Sequence, residues 1–113
     1  MKKANITLQT RDNNVSYEVN ITEKNSKLNY IEVDTNTNVF FDKNEKVLIR
    51  DNKDMYIELN FNTGMAIIYV KEFKKSFEYK MMIKSLDIGE TKIKVEYIID
   101  DENYIYTIKE MEV

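Results

Sequence analysis

The chain has 113 residues, of which 33% are charged and 42% hydrophobic, with a net charge of -3, no cysteine and no histidine. That bounds it to a single domain over residues 1–113 with one core, and it removes thiol nucleophiles, disulfides, the usual zinc ligands and the usual general base. The two charge signs are interspersed along the whole sequence, which excludes a disordered or polybasic class and gives no reason to expect a nucleic-acid partner.

From the N-terminus, Met1-Lys2-Lys3 is a charged start of the kind that opens a signal peptide. However, Ala4-Asn5-Ile6-Thr7-Leu8 alternates and no apolar stretch follows, so a cytoplasmic protein without membrane association is expected. Ala4, Ile6 and Leu8 share one face of a first strand. After a turn at Arg11 to Asn14, the run Val15, Tyr17, Val19, Ile21 repeats the period of two and closes a first hairpin. Leu28 to Val33 is a third strand, and Val39-Phe40-Phe41 is a short apolar piece leading into the centre of the chain. From Lys46 to Ile99 alternating runs follow one another in a meander. Their apolar positions are Val47 and Ile49; Met55, Ile57, Leu59 and Phe61; Met65, Ile67 and Tyr69; Phe77, Tyr79, Met81 and Ile83; and Ile93, Val95, Tyr97 and Ile99. Tyr104 to Val113 supplies the last strand. No stretch has helical periodicity. The prediction is an all-β single antiparallel up-and-down barrel of 8 to 10 strands, since closure removes the sheet edges that no helix is there to cover. A two-sheet β-sandwich is the alternative.

Register follows from the turns. Asn62-Thr63-Gly64, taken as a three-residue loop, sets Leu59 beside Ile67 and Ile57 beside Tyr69 on the core face. The opposite face then carries Leu48, Tyr56, Ile68 and Val70, an outer stripe more apolar than a solvent face should be. Tyr17, Tyr69, Tyr79 and Tyr97 fall in phase with the inward residues, where their hydroxyls need partners and could surround a small apolar ligand or simply pack.

Three further patterns carry less. Asp34 to Glu45 has oxygen side chains at positions 1, 3, 5, 9 and 12 of a calcium loop, but Val39 stands where the sharp turn requires glycine, and both flanks read as strands. No metal or other cofactor is expected. Asp100-Asp101-Glu102 reads as a solvated hairpin turn. Lys80, Lys84, Lys92 and Lys94 share an outer face with Glu78, Glu90 and Glu96, which can pair with them across strands, and the aromatic platform of a single-strand nucleic-acid binder is missing there.

Tyr30-Ile31-Glu32, the strand Val47-Leu48-Ile49-Arg50 followed by Met55, and Gly64, Tyr69, Val95 and Tyr97 resemble spaced residues of the YwiB-like family, small bacterial proteins with a calycin-like, lipocalin-shaped barrel. The resemblance runs over residues 30 to 113 and implies a barrel without a known activity. Where that family tends to have Thr-x-x-Gly after the tyrosine, this chain has Lys71-Glu72-Phe73-Lys74. Nothing places two acids for glycoside-type chemistry, and no catalytic residue is predicted. The expected role is non-enzymatic binding of a small apolar ligand at Tyr17, Tyr69, Tyr79 and Tyr97. The alternative is a protein-interaction module or homodimer built on Leu48, Tyr56, Ile68 and Val70.

Overall fold

A computed structural model describes residues 2–111; Met1, and positions 112 and 113 of the expected last strand, lie outside the described residues. The described residues form eleven strands and no helix: β1 (Lys2–Gln9), β2 (Asn14–Lys24), β3 (Lys27–Glu32), β4 (Thr37–Asp42), β5 (Val47–Asp51), β6 (Met55–Asn60), β7 (Met65–Val70), β8 (Lys75–Lys80), β9 (Met82–Ile88), β10 (Lys92–Ile99) and β11 (Glu102–Glu110). Their order is β8-β7-β6-β5-β4-β3-β2-β1-β11-β10-β9, antiparallel throughout, an all-β fold of the up-and-down barrel class. Eleven strands replace the expected 8 to 10 for two reasons. Val39-Phe40-Phe41 is the middle of a full strand, and the run Phe77 to Ile83 divides at Met81.

The chain splits into two compact units, Met1–Ile21 with Met81–Val113, and Thr22–Lys80. In the first, Ile6 pairs with Tyr17 on one side and Ile108 on the other, and Ile108 continues to Ile93. Ala4, Ile6, Ile93, Val95 and Ile108 on this face are at most 1% exposed. Between β9 and β10 the register steps from Ser85–Glu96 to Ile83–Tyr97, so Lys84 is an inserted bulge residue. The bulge lets Ile83 and Leu86 face the same way despite their odd spacing.

In the second unit one row of partners runs Leu28, Phe41, Leu48, Leu59, Ala66, Tyr79, and the next runs Tyr30, Val39, Arg50, Ile57, Ile68, Phe77. Leu28, Tyr30, Val39, Phe41, Leu48, Leu59 and Ala66 are buried, which makes this the core face. The loops that set this register repeat one device. Asn60 lies opposite Met65, and its side-chain oxygen accepts the amides of Asn62 and Thr63 while Gly64 N–H donates to the Asn60 carbonyl. Asp42 does the same for Asn44, Glu45 and Lys46 ahead of Val47. In each case the fourth loop residue takes the left-handed backbone, φ 77° at Gly64 and 59° at Lys46, the geometry a four-residue hairpin loop needs. Lys74 has φ 52° at the same place in the Lys71-Glu72-Phe73-Lys74 loop. Two-residue loops with both positions left-handed, Asn25-Ser26 and Asp100-Asp101, join β2 to β3 and β10 to β11.

Candidate functional site

The four-residue loop after Asn60 overturns the expected register. Leu59 faces Ala66 rather than Ile67, and Ile57 faces Ile68 rather than Tyr69. A shift of one residue exchanges the faces. Leu48, 3% exposed, is core, and Ile68 and Val70 share its face; only Tyr56 of the four expected stripe residues points outward. Phe61 concealed the loop's length. Its alternation with Leu59 reads as strand, yet it is a loop residue folded back, 5% exposed and stacked on Phe41 at 6.4 Å between ring centroids.

The outer face of the second unit is therefore built from the residues of opposite parity. One row is Asn29, Phe40, Ile49, Glu58, Ile67, Glu78; the rows beside it are Lys27, Asp42, Val47, Asn60, Met65, Lys80 and Ile31, Asn38, Asp51, Tyr56, Tyr69, Ser76. Phe40 is 42% and Ile31 49% exposed, while Val47, Ile49, Met65, Ile67, Tyr56 and Tyr69 are half-buried. Apart from Tyr56, the apolar residues of this outer face are not the ones expected. Within it the Tyr56 hydroxyl donates to Glu58 Oε1 at 2.8 Å. Burial first, and then that carboxylate, push the Tyr56 hydroxyl up to about 12. Glu58 has no ion pair among the described residues, although its row neighbours Ile49 and Ile67 limit its access to water.

The four tyrosines do not share one face. Tyr69 lies on the outer face of the second unit, a correction that follows from the same register shift, whereas Tyr79 lies on that unit's core face. Tyr17 is half-buried beside Ile6, and Tyr97, 5% exposed, stacks on Tyr104 at 5.2 Å. The Tyr104 hydroxyl donates to Glu102 and is pushed upward, by burial first and then by that acid.

A polar network closes the core face of the second unit at one end. Arg50 donates from both terminal nitrogens to Glu32, at 2.8 and 2.6 Å, a fork-on-fork pair whose carboxylate side chain is 12% exposed,. Beside it the fully buried Thr37 hydroxyl meets Thr35 and the Asn52 amide. On the outer side of the same end, Lys71 donates to Asp51 and to the Asn52 carbonyl, tying the β7–β8 loop to the end of β5 and the loop after it. Sequence reasoning picked out Glu32 and Arg50 as spaced residues without pairing them.

The calcium-like pattern is spread along β4 with Val39 and Phe41 buried in its middle, so its oxygens sit at opposite ends of a strand about 20 Å long,. Among the described residues no group of three or more acids could hold a metal ion. A shallow cleft of about 600 Å³ lies between the β1–β2 loop, Arg11 and Asp12, and the Asp100-Asp101-Glu102 turn. On the lysine-bearing hairpin, Lys84 pairs with Glu96 at 3.4 Å and Lys94 lies opposite Asp87. The Asn103 amide, and then Lys84, hold the Glu96 carboxyl below its usual range. Lys80 and Glu78 belong instead to β8 in the other unit. No helix among the described residues is long and apolar enough to cross a membrane. Comparison with family models, curated proteins and solved structures finds no match.

Proposed function

We propose that this protein is a non-enzymatic, cytoplasmic interaction module whose contact surface is the outer face of β3 to β8. One observation carries the reading: three adjacent rows of that face hold Phe40, Ile49, Ile67, Val47, Met65, Tyr56 and Tyr69 in register, on the side away from the buried Leu28, Val39, Phe41, Leu48, Leu59 and Ala66. Contiguous apolar surface of this kind on a folded domain marks a place where something binds. The lysines of β9 and β10 are offset by Glu96 and Asp87, which supports a protein partner over nucleic acid,. A homodimer using the face is one form of the proposal. Binding of a small apolar ligand by tyrosines has less support, because Tyr69 is on the outside and the Tyr97 ring is spent on Tyr104. Kinship with the YwiB-like family draws support from the meeting of Glu32 and Arg50, two of the residues on which the resemblance rests.

The test is a paired purification from the native host with the wild type and with an Ile49→Asp/Ile67→Asp variant whose far-ultraviolet circular dichroism matches the wild type. A stoichiometric companion, foreign or a second copy, that is retained by the wild type and lost by the variant is the expected result. The same companions on both proteins, or none on either, would overturn the reading.

A further inference from the structure

The apolar row at the centre of this face has a carboxylate built into it. Glu58 stands directly between Ile49 and Ile67 on the neighbouring strands, so a partner that covers those two side chains also takes Glu58 out of water. The Tyr56 hydroxyl donates to its Oε1, and among the described residues no lysine or arginine pairs with it. A carboxylate desolvated with a single neutral donor is strongly disfavoured. Whatever covers the face must bring its own cation.

The surrounding charge has the same sense. Glu78 ends the Glu58 row and has no ion pair among the described residues, while Lys27 and Lys80 lie at the two outer ends of the adjacent row. The middle of the face is acidic and apolar; Lys27 and Lys80 are at its rim, and Lys71, which reaches the row of Tyr56, is held by Asp51 at 2.7 Å. Tyr56 and Tyr69, directly opposite each other one row away, add ring faces suited to a cation,. Size narrows the occupant. Six strands about 4.8 Å apart and three rows give a face about 24 Å by 14 Å, whose apolar side chains, Ile31 apart, are on the four middle strands β4 to β7. That is on the order of 400 Å², about half of the ~800 Å² each partner contributes to a stable interface, and its length matches about seven extended residues. A second copy would have to reach well past the patch, and in a two-fold pairing centred on it would set Glu58 near Glu58.

We infer that the outer face of β3 to β8 binds a short extended segment of a partner protein in which a lysine or arginine sits between apolar side chains, with that cation on Glu58. This rests on the reading of the face as an interaction surface, and names its partner class.

A displayed library of random peptides, selected in parallel on the wild type, Glu58→Gln, Glu58→Lys and Ile49→Asp/Ile67→Asp, tests it, each protein first matched by circular dichroism. The wild type should enrich peptides with a basic residue flanked by apolar ones. Those peptides should lose about tenfold or more in affinity on Glu58→Gln, the weight of one charge-assisted hydrogen bond. On Glu58→Lys the selection should turn to acidic residues. Apolar peptides without a basic residue, bound equally by the wild type and Glu58→Gln but lost on Ile49→Asp/Ile67→Asp, would sink the cation and leave the face standing. Peptides indifferent to Ile49→Asp/Ile67→Asp would sink the face itself, and a library yielding no enrichment, with the wild type sedimenting as a dimer that Ile67→Asp dissociates, would give the face to a second copy.

Discussion

Arg50 and Glu32 form a doubly hydrogen-bonded ion pair at one end of the second unit's core. Both are on the core face, Glu32 12% exposed, and each satisfies the other with two hydrogen bonds. Removing only the arginine takes the charge partner from a carboxylate at the end of the core, which costs more than the pair itself contributes. Arg50→Met is therefore expected to lower unfolding stability by about 2–3 kcal/mol, moderated from the fully buried case by Arg50's partial exposure, and Arg50→Met with Glu32→Leu should recover most of that. Urea unfolding of the three proteins decides it; a single variant as stable as wild type would show the pair to be idle. Tyr56 gives a second expectation. Its hydroxyl titrates near 12 in the folded chain against an ordinary 10.0, so the folded state holds the proton longer. The stability this supplies is complete below pH 10 and is lost as pH rises toward 12. Tyr56→Phe, lacking the group, should show a flatter decline over that window, and parallel curves for the two proteins would contradict the assignment.

At the scale of single elements, one loop decides which side chains are core. Met55 to Asn60 and Met65 to Val70 are strands by their period alone, and that much was legible. Which face turns inward was not, because Val47, Ile49, Ile67 and Tyr69 are as apolar as Leu48, Leu59, Ala66 and Ile68, and the pattern is two-sided. The discriminating residue is Asn60, whose side chain caps the amides of Asn62 and Thr63 and so begins the loop one residue before the apolar run ends. An asparagine or aspartate four residues before a glycine or lysine at a strand junction, as at Asn60 and Gly64 or Asp42 and Lys46, was the readable sign. Neighbouring substitutions on β5 test the register. Leu48→Ala should cost about 3 kcal/mol, as for a filled core site, whereas Ile49→Ala should cost less than about 1 kcal/mol. The reverse order, measured by thermal or chemical unfolding, would restore the three-residue loop. The same exchange of faces explains why, of the four residues expected in the stripe, Tyr56 faces outward while Leu48, Ile68 and Val70 do not.

For the whole molecule, the all-β class followed from the unbroken period of two, while the division at Met81 did not. Phe77, Tyr79, Met81 and Ile83 alternate without interruption; the strand changes partners there, β8 pairing with β7 and β9 with β10, and such long-range choices leave no mark on local alternation. The pairing of β1 with β11 is likewise non-local, Ala4 lying opposite Glu110, with Met111 N–H donating to the Lys3 carbonyl and Lys2 paired with Glu110. That ladder has a consequence for how the gene could be written. Among the described residues the eleven strands are in cyclic sequence order, and no ladder joins β8 to β9. A circular permutant opened at Met81, with a flexible tether from Val113 to Met1, would cut no ladder and would turn the most distant pairing in the chain into an ordinary hairpin. It should reach the same circular dichroism and fold faster than the parent in stopped-flow mixing, since chain closure would no longer wait on the far end; a permutant that fails to fold would show that the peptide link at Met81 holds together what the hydrogen bonds do not.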